Sequence, residues 1–222
     1  MTMKKRVIAT LICINCLFLV LSGCAPRLVG EAKAKEAGLA MIQQAYEVDL
    51  SDAVVTVAYQ EGAGVTYEDG QRIQYGTEEP IRFYNIRVNP DDENENAEYN
   101  ATVNAVTGAA YRAGRGVSNT ELTEEQRKKA ESVKFPEPPP AYGFSDEQVE
   151  SMWFSVEWLK QHFEPDMEML CSVPGIEMTD NYTSPQQWIE TYAVYRNGHI
   201  YLVELLWPTM EVTSVYLFDQ ES

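Results

Sequence analysis

Histidine is nearly absent from this chain, two residues in 222, and basic side chains are outnumbered two to one, 17 against 34 acids. Each shortage removes a class of function. A formal charge of −17 opposes nucleic acid and gains nothing from anionic lipid headgroups. His162, His199 and the scattered carboxylates never fall at zinc-ligand spacing, and a zinc site needs at least three such ligands. The Gly-x-Ser-x-Gly elbow, the phosphate-binding loop and the dinucleotide fingerprint are all missing. No catalytic residue is therefore assigned, and neither a metal nor a cofactor is expected. Asp91, Glu93 and Glu95 alternate as in the first half of an EF-hand loop. Asn96 stands where that loop needs glycine and Thr102 where it needs glutamate, so 91–96 reads as a solvated hairpin tip.

Cysteine is also scarce once the start of the chain is read. Lys4, Lys5 and Arg6 precede an apolar run from Val7 to Leu21, and Ser22-Gly23 supplies small residues before Cys24. A basic start, a short apolar stretch and small residues make a secretory leader, and the run is short for a lasting membrane span. Leu21-Ser22-Gly23-Cys24 resembles the lipobox of bacterial lipoprotein signal peptides. That resemblance implies cleavage between Gly23 and Cys24, a diacylglycerol thioether on Cys24, and an N-acyl chain such as palmitate in some bacteria. It also implies a protein lipid-anchored on the extracytoplasmic face of a bacterial cell membrane. Two or more chains anchor stably, since each buried methylene contributes about 0.8 kcal/mol. Of the four cysteines, Cys13 and Cys16 leave with the leader 1–23 and Cys24 carries lipid, which leaves Cys171. One thiol forms no internal disulfide, so the core must hold the fold. Cys171 reads as a small buried apolar residue rather than a nucleophile. Loss of the three leader cations takes the charge from −17 to −20.

After a tether at 24–30, residues 31–46 carry alanines and few breakers. Ala34, Ala37, Met41 and Ala45 recur at helical spacing, with Leu39, Ile42 and Tyr46 alongside. Small residues on that face let a helix lie close on a sheet. The β-branched run 54–59 reads as a strand. Gly62-Ala63-Gly64 and Glu68-Asp69-Gly70 then mark a loop or hairpin. Residues 81–88 form a second strand, with Ile81 and Phe83 on one side and Tyr84, Ile86 and Val88 on the other. A third strand over 99–105 turns tightly at Thr107-Gly108, where glycine accepts a positive φ.

That hairpin, Tyr99-Asn100-Ala101-Thr102-Val103-Asn104-Ala105-Val106-Thr107-Gly108-Ala109-Ala110, resembles the closing hairpin of PepSY domains, with Asn104 where an acid is usual. The alanine-bearing helix upstream belongs to the same pattern, so the resemblance spans 31–113. It implies one helix packed on a small antiparallel sheet in an exported protein.

Residues 114–144 read as a linker. Thr123-Glu124-Glu125-Gln126 has capping-box spacing for a short helix, and Phe135-Pro136-Glu137-Pro138-Pro139-Pro140 is a stiff extended spacer. A second helix follows the capping box Ser145-Asp146-Glu147-Gln148. It buries Val149, Met152, Trp153, Val156, Leu159 and Phe163, and Pro165 stops it. Strands follow over 168–173, 188–196, 199–207 and 211–218, with Asn197-Gly198 as a strong hairpin signal. Trp153, Trp158, Trp188 and Trp207 crowd this half together with Tyr182, Tyr192, Tyr195 and Tyr201.

The expected fold class is α+β: two tandem units, each one helix on a small antiparallel sheet, PepSY-like, at 31–113 and, more divergently, at 145–222. PepSY domains occur in propeptides of secreted proteases. The resemblance therefore implies a non-enzymatic envelope protein that binds or restrains a secreted or membrane peptidase, or another envelope protein. Contact would be made through a free sheet edge or the aromatic face. The alternative is a surface lipoprotein that binds a small ligand or cell wall, holding it between helix and curved sheet.

Overall fold

The structure is a computed structural model that describes residues 26–62, 64–68, 71–75, 80–90, 97–116, 122–132, 143–175, 179–180 and 186–218. The leader with Gly23 and Cys24, the acidic stretch 91–96 and the prolines at 136–140 lie outside the described residues.

The first helix, α1 (Glu31–Tyr46), buries Ala34, Gly38, Met41, Ile42 and Ala45. It packs on a long hairpin, β1 (Val55–Gly62) with β4 (Ile81–Pro90), and on the next two strands, β5 (Ala97–Asn104) and β6 (Ala110–Arg115). The tip of the long hairpin is a separate two-stranded ribbon, β2 (Gly64–Glu68) with β3 (Gln71–Tyr75). Small residues set the depth of α1. A Cβ on Gly38 would stand 2.5 Å from Ile86 Cγ1, so the helix backbone rests almost directly on β4.

A short helix, α2 (Glu124–Ser132), begins at the expected capping box, where the Gln126 amide donates to Thr123 Oγ1 and the Thr123 amide to Gln126 Oε1. The third helix, α3 (Asp146–His162), begins the same way at Ser145 and Gln148. It packs on β7 (Met169–Pro174), β9 (Gln187–Tyr195) and β10 (Ile200–Trp207). The pair β8 (Thr179–Asp180) is joined to β9, and β11 (Glu211–Phe218) closes the chain.

The two-unit expectation is overturned by the sheet. Its order is β1-β4-β5-β6-β11-β10-β9-β7, antiparallel at every step, with β8 also on β9. β6 and β11 pair through Arg112↔Tyr216, Ala113↔Val215 and Gly114↔Ser214, so the chain makes a single sheet rather than two small ones. The physical reason is edge satisfaction. Separate sheets would leave β6 and β11 each with an unpaired row of backbone groups, and joining them removes both. The core follows the sheet without a break, from Ala34 and Ile42 under α1 to Leu159, Val203 and Trp207 under α3. Side-chain hydrogen bonds also cross between the halves. The Tyr46 hydroxyl donates to Thr213 O at 3.0 Å, and Gln44 Nε2 donates to His162 O at 2.9 Å. Burial pushes the Tyr46 hydroxyl well above the usual tyrosine range.

Candidate functional site

A sheet with helices on one side has two edges, and here they differ in kind. β1 carries Glu61, which pairs with Arg82 at 3.1 Å. β7 reads Met169-Leu170-Cys171-Ser172-Val173-Pro174 and holds no charge. Edge strands are normally blunted by charge, proline or a bulge. β7 has Pro174 at one end and a register shift at Leu170, between Met169 and Cys171. Between those devices the strand has no second neighbour among the described residues. Leu170 is 56% exposed and Val173 48%.

The overhang above this edge comes from α3. Trp158 and His162 lie on the flank that turns to α1, since His162 Nδ1 stands 3.1 Å from Gln44 O and the two rings are 4.8 Å apart. The opposite flank faces β7, because the sheet order puts β7 on the side of α3 away from α1. Asp146, Val149, Trp153, Glu157 and Lys160 follow one another there at three- and four-residue steps. Val149 and Trp153, expected in the core, are exposed, and Trp153 is 52% so. Exposed Trp153 on α3 and exposed Leu170 on the edge strand give this side of the described residues an apolar shelf, the kind of feature that marks a contact surface.

A polar knot fixes the shelf. Glu164 follows α3 directly and is only 6% exposed. Its Oε1 accepts from Tyr201 OH at 2.8 Å and lies 2.5 Å from His199 Nδ1, while Asn197 Nδ2 donates to both carboxylate oxygens at 3.2 Å. Burial alone would raise the Glu164 pKa. The donors from His199, Tyr201 and Asn197 outweigh it and hold the carboxyl below its usual range. Burial and the same carboxylate raise the Tyr201 hydroxyl strongly. The Tyr195 hydroxyl is pushed up to about 12, first by burial and then by the charges of Glu164 and Glu157. Phe163 packs on Tyr201 at 5.6 Å, and Arg196 N donates to Glu168 O at 2.9 Å. The knot thus ties the end of α3, the β9–β10 turn and the start of β7 together.

On the face opposite the helices, Arg112 lies 4.9 Å over the Tyr216 ring, and Ser214 donates a short hydrogen bond to Glu204. Arg112 Nε is nonetheless buried without a hydrogen-bond partner among the described residues.

The sequence-derived candidates are dispersed. Cys171, expected to be buried, is exposed on β7. The register shift at Leu170 turns it to the side of Val194, away from the core. Neither histidine bonds to it among the described residues: His162 faces Gln44 and Glu47, and His199 faces Glu164. Among the described residues no group of three or more His, Cys, Asp or Glu is arranged to hold a metal ion, and no helix is long and apolar enough to cross a membrane. Leu159, Tyr195 and Tyr201 are buried core residues where α3 meets the sheet, the place where a small ligand was the alternative expectation. Glu164 was not singled out in the sequence. Its one signal is an acid between an aromatic residue and a helix-ending proline, Phe163-Glu164-Pro165.

No family model matches the chain. No curated protein matches it either. Among solved structures, the Bacillus megaterium YpeB C-terminal domain is similar at 9% identity and a TM-score of 0.41. The similarity covers 86% of this chain and 63% of that one, so the chain spans less than two thirds of the structure it matches.

Proposed function

We propose that this chain is a non-enzymatic, lipid-anchored envelope protein that binds another protein, a peptidase by the PepSY resemblance of 99–110, at the shelf formed by β7 and α3. The observation that carries the reading is the uncharged edge strand beside exposed Trp153 and Leu170. Monomeric proteins keep such apolar surface small, and an open sheet edge offers backbone bonds to a partner. The address rests on Leu21-Ser22-Gly23-Cys24, and a body of charge −20 is held off an anionic surface by repulsion.

Two measurements test it. Metabolic labelling with a palmitate analogue should mark the full chain and leave Cys24→Ala unlabelled and released from membranes; label on the variant would refute the anchor. Cross-linking in envelope extracts should recover one protein with the native chain and lose it with Trp153→Ala. Equal recovery by both would move the contact elsewhere, and recovery of nothing would remove the protein-binding reading.

A further inference from the structure

We propose that β7 accepts a short, extended, basic segment of the partner as an added strand beneath the Val149–Trp153 flank of α3; this rests on the protein-binding reading above and names the occupant. Three observations converge. The first is the ladder. Gly175 N donates inward to Glu190 O at 2.7 Å, so alternation along the strand turns the Ser172 amide outward. Pro174 holds the next outward position, where its missing N–H costs no bond to β9. The free ladder therefore centres on Ser172 and is a few residues long.

The second is the wall. An incoming strand would have exposed Trp153 of α3 on the helix side of the sheet and exposed Val173, which shares its side with Tyr192, on the other, so alternate side chains of an extended segment meet apolar surface on both faces.

The third is charge. Asp146 and Glu157 on the α3 flank and Asp166 at the approach to β7 enter no ion pair among the described residues, against a single cation, Lys160. The excess is negative locally, as it is over the whole chain at −17. A second copy edge to edge would set two such bodies against each other, whereas a basic segment is drawn in.

The test uses the full-length chain in mild detergent with fluorescent peptides of about eight residues, a strand's length. One alternates valine with lysine, and its counterpart alternates valine with glutamate. The lysine peptide should bind at least about tenfold more tightly than the glutamate peptide at low salt. Binding should slow exchange of the Ser172 amide by at least about tenfold. Ser172→Pro removes the outward donor and should weaken binding. Trp153→Ala leaves the ladder intact and should weaken it too, which keeps the test valid should the proline variant misfold.

Equal binding of both peptides would overturn the charge class. Tight binding without protection of Ser172 would overturn strand addition. A dimer formed through this edge that excludes the peptide would overturn the occupant. If an envelope protein is captured and survives Ser172→Pro, this inference fails while protein binding stands; if none is captured, the parent reading fails.

Discussion

Glu164→Ala is expected to lower the stability of the chain by about 3 kcal/mol, a large fraction of what a protein of this kind has to lose. Among the described residues, the substitution leaves the Tyr201 hydroxyl, in a residue 2% exposed, with a long contact to His199 Nδ1 at 3.4 Å. A buried polar group stripped of its partner costs about 1–3 kcal/mol, and bonds to a charged acceptor lie at the upper end of that range. The Asn197 amide and His199 lose the same acceptor. Urea unfolding at neutral pH reads the loss directly, and a change below about 0.5 kcal/mol would contradict the role given to this carboxylate. The pH dependence has a defined sign. Because the folded-state pKa of Glu164 lies below its ordinary value, its stabilisation is present above the ordinary carboxylate range. That stabilisation is lost as pH falls through the lowered value. Titrating the urea midpoint from neutral into acid should show a steeper loss for the native chain than for Glu164→Gln. Parallel curves would exclude Glu164 as the group responsible.

Gly38→Ala should destabilise the chain by about 1–3 kcal/mol, the cost of forcing extra volume into a packed core. Helix propensity points the other way, since alanine is favoured over glycine by about 1 kcal/mol at an open helix position. Packing decides the outcome here. The added methyl would meet Ile86 Cγ1 at 2.5 Å, Ile86 Cβ at 3.2 Å and Ala101 Cβ at 3.3 Å. Ile86 is fully buried and branched at Cβ, and Ala101 is 1% exposed, so neither has room to withdraw. Ile86→Ala alone opens a cavity at a cost of about 2–5 kcal/mol. Combined with Gly38→Ala, the two changes should cost at least about 1 kcal/mol less than their sum, because one fills the space the other vacates. Additive losses would show that α1 shifts bodily rather than pressing on Ile86, and a stabilised Gly38→Ala would show that the contact is not tight.

Local chemistry was legible wherever a side chain acts on its own neighbourhood. Gly108 and Gly198 take the positive φ their hairpins need, at 79° and 91°. Ser145 caps α3 through the reciprocal bonds its spacing implied. Alternation put Tyr84, Ile86 and Val88 on one side of their strand, and that side is the buried one. The joining of the halves was not legible. β6 and β11 lie about a hundred residues apart, no turn encodes their register, and two repeats of helix and strands look alike whether their sheets fuse or not. The shelf was half legible. Helical spacing gave Val149 and Trp153 to the core because apolar periodicity cannot separate a buried stripe from an uncovered one. Cys171 was misplaced because one irregular residue, Leu170, reverses the inward and outward sense of everything near it. Glu164 was invisible because an acid's burial depends on donors that arrive from Asn197, His199 and Tyr201, more than thirty residues later.

The seam between β6 and β11 also imposes an order on assembly. β11 is made after all the other described strands, yet it stands in the interior of the sheet with four strands to one side of it and three to the other along the main path. A chain delivered from its N-terminus can form the long hairpin, α1 and the strands up to β6 early. It must then wait for about a hundred further residues before β6 gains its second neighbour. During that interval β6 is a bare edge beside an apolar core, the state most open to wrong pairing. A chain lacking β11 would therefore lose the strand that bonds its two halves.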